Sequence, residues 1–389
     1  MLHLPQADGT LLRWQPSVSP IRPRAPARPL TRIAFAAAHV VADPLAPRSP
    51  WDGRPAIDWE ATLRFRHWLW DQGFGLAEVM DTAQRGMGLD WETARELIGR
   101  TMAEARAHPA RPRVACGAGT DQHELRDLTD LGRIEAAYRA QIEAIEAAGA
   151  QAIVMATRAL PAIGAGPDDY AALYRQLIAA ADRPVILHWL GEMFDPALAG
   201  YWGTTDRAAA TETVLGIINA DPGRVDGIKV SLLDRAHEED LRARLPAGVR
   251  LYTGDDYNYP ELIAGDGRHH SDALLGIFAA IAPAAAQALE ALAGGDLGRY
   301  HALMAPTVPL AHEIFAPPTR FYKAGVAFLS WINGLQRQFA MPAGMQSARG
   351  IVHYARLLQL ADAAGLVLDG DLAVARMRAL LILNGIAAP

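Results

Sequence analysis

Residues 225–231 read Val225-Asp226-Gly227-Ile228-Lys229-Val230-Ser231, an apolar run that closes on a primary amine. The same kind of run, nearly all apolar rather than alternating, recurs at Arg32–Ala38, Gly75–Met80, Arg113–Gly117, Gln151–Thr157, Pro184–Trp189, Val249–Thr253 and Ala273–Ala280. Continuous apolar strands are what a parallel sheet covered on both faces requires. Between them lie stretches of helical period, Asp58–Gln72, Asp90–Ala107, Asp130–Ala148 and Asp168–Ala181, each opening on an aspartate able to cap a first turn. Eight strand–helix units over roughly 250 residues match a closed (β/α)8 barrel, the TIM-barrel architecture. No glycine-rich dinucleotide fingerprint follows the first strand, which counts against an open doubly wound sheet.

Outward from the barrel, residues 1–30 read as a hairpin around Asp8-Gly9 and a connector stiffened by Pro20, Pro23, Pro26 and Pro29. Residues 31–283 form the expected barrel. Residues 284–389 read as a helical extension, with helices at Ala284–Ala293, Leu297–Phe315, Arg320–Gln338, Ser347–Ala364 and Asp371–Leu383. The Phe328, Trp331 and Leu335 spacing there reads as core or subunit contact.

A net charge of −6 gives no basic face for nucleic acid and no affinity for an acidic membrane surface. The single cysteine, Cys116, allows no intrachain disulfide and reads as a buried, inert thiol. Pro5 and Asp8 break the apolar stretch a secretory signal needs, and Ile33–Ala42 is too short to span a bilayer, so a cytoplasmic address is expected.

Lysine occurs only at 229 and 323 among 37 basic side chains. Arginine replaces lysine as a surface charge but stays protonated and cannot serve as an amine nucleophile. A lysine kept at the end of an apolar strand is therefore a candidate for covalent chemistry. Burial depresses its pKa and frees its lone pair for attack on a ketone.

In such barrels the catalytic groups sit at the C-terminal ends of the strands. Reading those positions gives His39, then Asp81, Thr82 and Arg85, Asp121 and His123, Arg158, His188 and Glu192, Lys229 and Ser231, and Asp255 and Asp256. His269 and His270 read as part of the same rim, just before the eighth strand.

Gly227-Ile228-Lys229 resembles the Schiff-base strand of the dihydrodipicolinate synthase and N-acetylneuraminate lyase superfamily. Other stretches resemble that family in the same order. Asp52-Gly53 with Ile57-Asp58 is similar to the entry to its first helix, and Leu89-Asp90-Trp91-Glu92 to the start of its second. Arg113 to Gly119 resembles its third strand and Thr253-Gly254-Asp255-Asp256 its seventh. Gly295-Asp296 and Tyr322-Lys323-Ala324 resemble its C-terminal helices.

Departures fall on the substrate-facing positions. The loop that holds a keto-acid carboxylate in the family corresponds to Asp81–Arg85, where only Thr82 is kept and a glutamate is replaced by Arg85. The fifth-strand tyrosine falls on His188, and Thr157–Pro161 lacks the fourth-strand tyrosine.

The resemblance and the residues together lead to the expectation of a class I aldolase-like lyase. Lys229 would condense with a 2-keto acid or sugar-derived keto acid, leading to aldol cleavage or condensation, dehydration or decarboxylation. His188 would relay protons near neutrality. Thr82, Arg85, Arg158, Ser231, Asp255, Asp256 and His39 would contact the substrate. No cofactor or metal is expected, and the resemblance implies a homo-oligomer, a dimer or tetramer. A metal-dependent isomerase or hydrolase built on His39, His188, His269 or His270 and Asp255 is the alternative; a non-catalytic metabolite-binding barrel is the third reading.

Overall fold

The computed structural model describes residues 1–46 and 54–386. Asp52-Gly53 lies outside the described residues. Strands β1 (Leu2–Pro5) and β2 (Leu11–Trp14) form an antiparallel hairpin. Eight further strands follow: β3 (Ala34–Ala37), β4 (Gly75–Glu78), β5 (Val114–Ala118), β6 (Gln151–Val154), β7 (Val185–Leu190), β8 (Val225–Ser231), β9 (Arg250–Thr253) and β10 (Asp272–Leu275). They close in the order β10-β3-β4-β5-β6-β7-β8-β9, every pair parallel. The protein is a (β/α)8 barrel with a helical C-terminal region.

The barrel helices are α1 (Trp59–Trp70), α2 (Trp91–Ala107), α3 (Leu131–Ala147), α4 (Ala159–Ala162), α5 (Pro167–Ala180), α6 (Arg207–Ala220), α7 (Arg235–Arg244), α8 (Tyr259–Ala264) and α9 (Phe278–Ala293). Asp58, Asp90 and Asp130 each accept a first-turn amide, as their positions before apolar-periodic stretches predict. Asp168 does not: α5 starts on Pro167, and Asp169 accepts the Gly166 N–H instead. Pro at the first helical position loses no hydrogen bond, because that amide has no partner within a helix.

The last barrel strand is shorter than its apolar run. β10 ends at Leu275, and Phe278–Ala280 already belong to α9. A fully buried helix and a fully buried strand share an unbroken apolar pattern, so composition alone could not place that boundary. The expected barrel end at Pro283 also falls inside α9, which passes it in a kink with Ile281 off helical geometry (φ −113°, ψ 17°).

Beyond it come α10 (Leu297–Met304), α11 (Val308–Ile314), α12 (Tyr322–Ile332), α13 (Ile351–Ala363) and α14 (Gly370–Leu383). The stretch expected as one helix over 297–315 is divided at Pro306 and Pro309, where amide donors are missing. Phe328, Trp331, Phe339 and Tyr354 stack together between α12 and α13, so that spacing is core. The connector after the hairpin is tied down rather than loose. Asp362 accepts the Ser17 and Val18 amides, and Glu290 accepts the Ala27 amide.

What positions the site is the inner packing. Phe35, Ala77, Ala115, Ile153, Ile186, Tyr252 and Leu274 point inward and fill the barrel axis. Side chains alternate along a strand, so the residue two beyond Ile186 is His188, and the residue opposite Tyr252 on β8 is Lys229. The apolar plug thus forms a floor, and the next layer up is polar.

Candidate active site

Above that floor a cavity of about 460 Å³ opens among the C-terminal ends of β4 to β7 and the start of α12. This size suits a small metabolite. His188, Asp81, Tyr322 and Lys323 stand in its wall. The wall stops short of Lys229, which is the register partner of His188 on β8.

Lys229 is 7% exposed and has no hydrogen bond or ion pair among the described residues. Burial lowers its pKa, and the fields of Asp81 and then Asp256 partly restore it. Gly254 makes room for its stem: a Cβ there would lie 2.7 Å from Lys229 Cε. Asp256 is buried, accepts the Ile277 amide at 2.9 Å and has its pKa pushed up to about 7, chiefly by burial. A carboxyl in that state exchanges its proton near neutrality.

His188 contacts Ser231 Oγ through Nε2 at 3.3 Å, while its buried Nδ1 has no partner. It does not titrate near neutrality as the sequence led one to expect. Burial first, and Lys229 second, hold its pKa well below the ordinary value, so the ring is neutral. Thr82 Oγ1 and Tyr322 Oη share a hydrogen bond of 2.7 Å. Tyr322 stacks on Phe315 and meets Phe194 edge-on, and a Cβ on Gly276 would press on its ring at 3.0 Å.

Four expected substrate contacts are engaged elsewhere. Arg85 borders the cavity, but its guanidinium clamps Asp121 and also donates to Val79 O, Gly117 O and Gln141 Oε1. No free edge remains for a bidentate carboxylate. Arg158, half exposed on the rim, pairs with Asp195 at 2.6 Å. Asp255 accepts the Tyr257 and Asn258 amides and the Asn258 side chain, shaping the turn into α8. His39 leaves the barrel axis, bonds Gln336 at 2.7 Å and packs edge-on against Phe65; burial lowers its pKa to about 4.

His269 and His270 are at the wrong end. A loop between α8 and β10 enters its strand from the N-terminal side, so the pair faces away from the cavity. Among the described residues no three His, Cys, Asp or Glu side chains gather to hold a metal. Nor is any described helix long and apolar enough to cross a membrane.

Not all of the wall comes from the strand ends. Tyr322 and Lys323 come from α12, whose first turn packs on the short 3-10 helix Asp81–Ala83. Lys323 is 2% exposed; its one hydrogen-bond contact among the described residues is Met87 Sδ at 3.3 Å. Its scarcity was the available signal: it is the second of two lysines.

The closed parallel eight-stranded barrel is the fold this chain shares with solved dihydrodipicolinate synthases. The chain belongs to the family described as "Protein of unknown function (DUF993)", whose model matches residues 2–386. Solved structures agree on the fold. The dihydrodipicolinate synthase from Aquifex aeolicus is 13% identical with a TM-score of 0.62, covering 86% of this chain and 99% of that one. The enzyme from Thermotoga maritima is 16% identical, TM-score 0.61, with 87% and 100% covered. The chloride-inhibited enzyme from Acinetobacter baumannii, complexed with pyruvate, is 17% identical, TM-score 0.60, with 86% and 100% covered. At these identities the likeness is one of fold. No curated protein matches the chain.

Proposed function

We propose that the protein is a class I lyase that forms an imine between Lys229 and a small 2-keto acid or sugar-derived keto acid. The observation that carries this reading is a buried amine on β8, unpaired among the described residues, next to the cavity wall and depressed in pKa by burial. Desolvation raises the fraction of neutral amine, the form that attacks a carbonyl.

The chemistry follows from that amine. The nitrogen lone pair adds to the ketone carbon, the nitrogen releases a proton and the carbonyl oxygen takes one up, giving a carbinolamine. Protonation of its hydroxyl releases water and leaves the iminium. The iminium then accepts the electron pair of an adjacent C–C or C–H bond as it breaks, forming an enamine. Carbon protonation and hydrolysis return Lys229.

Asp256, near pKa 7 and felt electrostatically by Lys229, suits both proton transfers at nitrogen and oxygen. The Thr82–Tyr322 hydroxyl pair suits delivery of a proton from the cavity side. Neutral His188, with Nδ1 free, serves as an acceptor rather than a cation. The pyruvate bound by one fold neighbour makes pyruvate the first probe.

Borohydride reduction in the presence of pyruvate and a panel of longer 2-keto acids, followed by peptide mapping, tests the proposal. A reduced adduct on Lys229 is expected. An adduct on Lys323 instead, or none across the panel, overturns it.

A further inference from the structure

Both lysines of the chain end up buried, one in the cavity wall and one behind it, and both feel the same carboxylate, Asp81. Their settings differ. Lys229 stands at the end of a strand behind the wall, whereas Lys323 belongs to the wall itself, on the first turn of α12. An ammonium carries three donors. Around Lys323 Nζ the described residues offer one thioether, a weak acceptor, and the Tyr322 ring with its centroid 5.6 Å away. Asp81 acts on it only through space; the two form no ion pair among the described residues.

Burial lowers the Lys323 pKa to about 8, which still leaves the group mainly protonated at neutral pH. A buried cation with unused donors is unstable unless something charged or strongly polar completes its shell. The other cations at the cavity do not compete for that role. Arg85 has its donors committed, and Arg158 is paired with Asp195. Arg320 also borders the cavity but is exposed, three residues before Lys323.

We infer that Lys323 is the anion-holding residue of this cavity, receiving a carboxylate of the ligand on its ammonium group. The inference deepens the imine reading and rests on it for the identity of the reacting carbonyl: the substrate is a keto compound with an acidic group, held at two separate lysines. Lys323 is thus a binding residue, and its donors do the work that the sequence resemblance assigned to the Asp81–Arg85 loop.

Two measurements test it, the first without assuming imine chemistry. First, the wild-type protein is labelled with acetic anhydride with and without excess malonate, a carboxylate that cannot form an imine. With only two lysines, mass mapping resolves both sites. Protection of Lys323 is expected; equal labelling overturns the inference. Second, Lys323→Met is compared with wild type for half-maximal trapping on Lys229 by pyruvate and by its uncharged methyl ester. Loss of one charge-assisted contact should weaken pyruvate on the order of 10- to 100-fold while leaving the ester unchanged. Lys323→Arg should recover part of the loss. Equal weakening for acid and ester, or none for either, overturns the inference.

Failure of the functional reading looks different. Wild type would then show no Lys229 adduct while malonate still protects Lys323. If Lys323→Met does not fold, the labelling experiment stands on the unmodified protein.

Discussion

Arg66 and Glu78 lie between α1 and β4, both 0% exposed, and the fold has answered every part of them. Nε and Nη2 of Arg66 meet the two oxygens of Glu78 at 2.9 and 2.8 Å, while Nη1 donates to His39 O and Thr62 O. Glu78 also accepts from Thr101 Oγ1 and the Val79 amide. A short distance away at the barrel mouth, Lys229 and Lys323 are buried almost as deeply with almost nothing bonded to them. The same chain therefore buries charge in two ways. A matched pair is scaffold; an unmatched buried amine lowers stability, and in the proposed reading a ligand offsets that cost.

The sharpest way to break that comparison is to remove each charge in turn. Lys229→Met should abolish turnover of any substrate found by trapping, by on the order of 10⁴-fold or more, as for loss of other covalent nucleophiles. Its melting temperature should equal or exceed that of wild type, because an unpaired buried amine is replaced by an apolar side chain. Asp256, already near pKa 7, can take up a proton when the neighbouring amine is gone. A variant that loses activity and also melts much lower would place Lys229 with the scaffold.

Arg66→Met should do the reverse. Breaking a buried, fully bonded pair leaves Glu78 charged without a partner and should destabilise by about 3–5 kcal/mol in denaturant unfolding. Replacing both members, Arg66→Met with Glu78→Leu, should recover much of that loss, since two apolar groups leave no orphan charge. A single variant as stable as wild type would remove the distinction drawn here.

The same contrast explains what could be read in the sequence. Continuous apolar runs announce a doubly covered parallel sheet, and strand parity puts Lys229 and His188 at one level in the barrel. What a side chain bonds to is another matter. Arg85 and Asp121 are 36 residues apart, and nothing local tells that the arginine is saturated. Asp255 looks like a rim carboxylate, yet it caps its own turn. His269 and His270 belong to a loop that precedes a parallel strand, and such a loop opens on the far end of the barrel. Tyr322 and Lys323 were hidden for a different reason. They start a helix that is otherwise core, and only tertiary docking of α12 on the Asp81–Ala83 turn brings them to the mouth.

Glu238 is an intermediate case and gives the finest test. It is buried beneath β9 and accepts from Thr253 Oγ1 at 3.0 Å and Ser271 Oγ at 2.8 Å. Arg242 bonds Leu262 O and Ser271 rather than Glu238, so the carboxyl has hydroxyl partners but no ion pair among the described residues. Burial outweighs those hydroxyls and raises its pKa to about 8. In the unfolded chain it titrates near the ordinary glutamate value of 4.5. Between those values the folded protein keeps a proton that the unfolded chain has released. The stability linked to that proton is therefore complete below pH ~4.5 and is lost as pH rises through about 8. Glu238→Gln removes the titration while keeping shape. The stability difference, wild type minus variant, should decline from pH 5 to pH 9, with Asp256 and Lys323 cancelling because both proteins carry them. Parallel stability curves over that range would mean that Glu238 is ionised in the folded state, and that two hydroxyls alone are enough to hold a buried charge in this barrel.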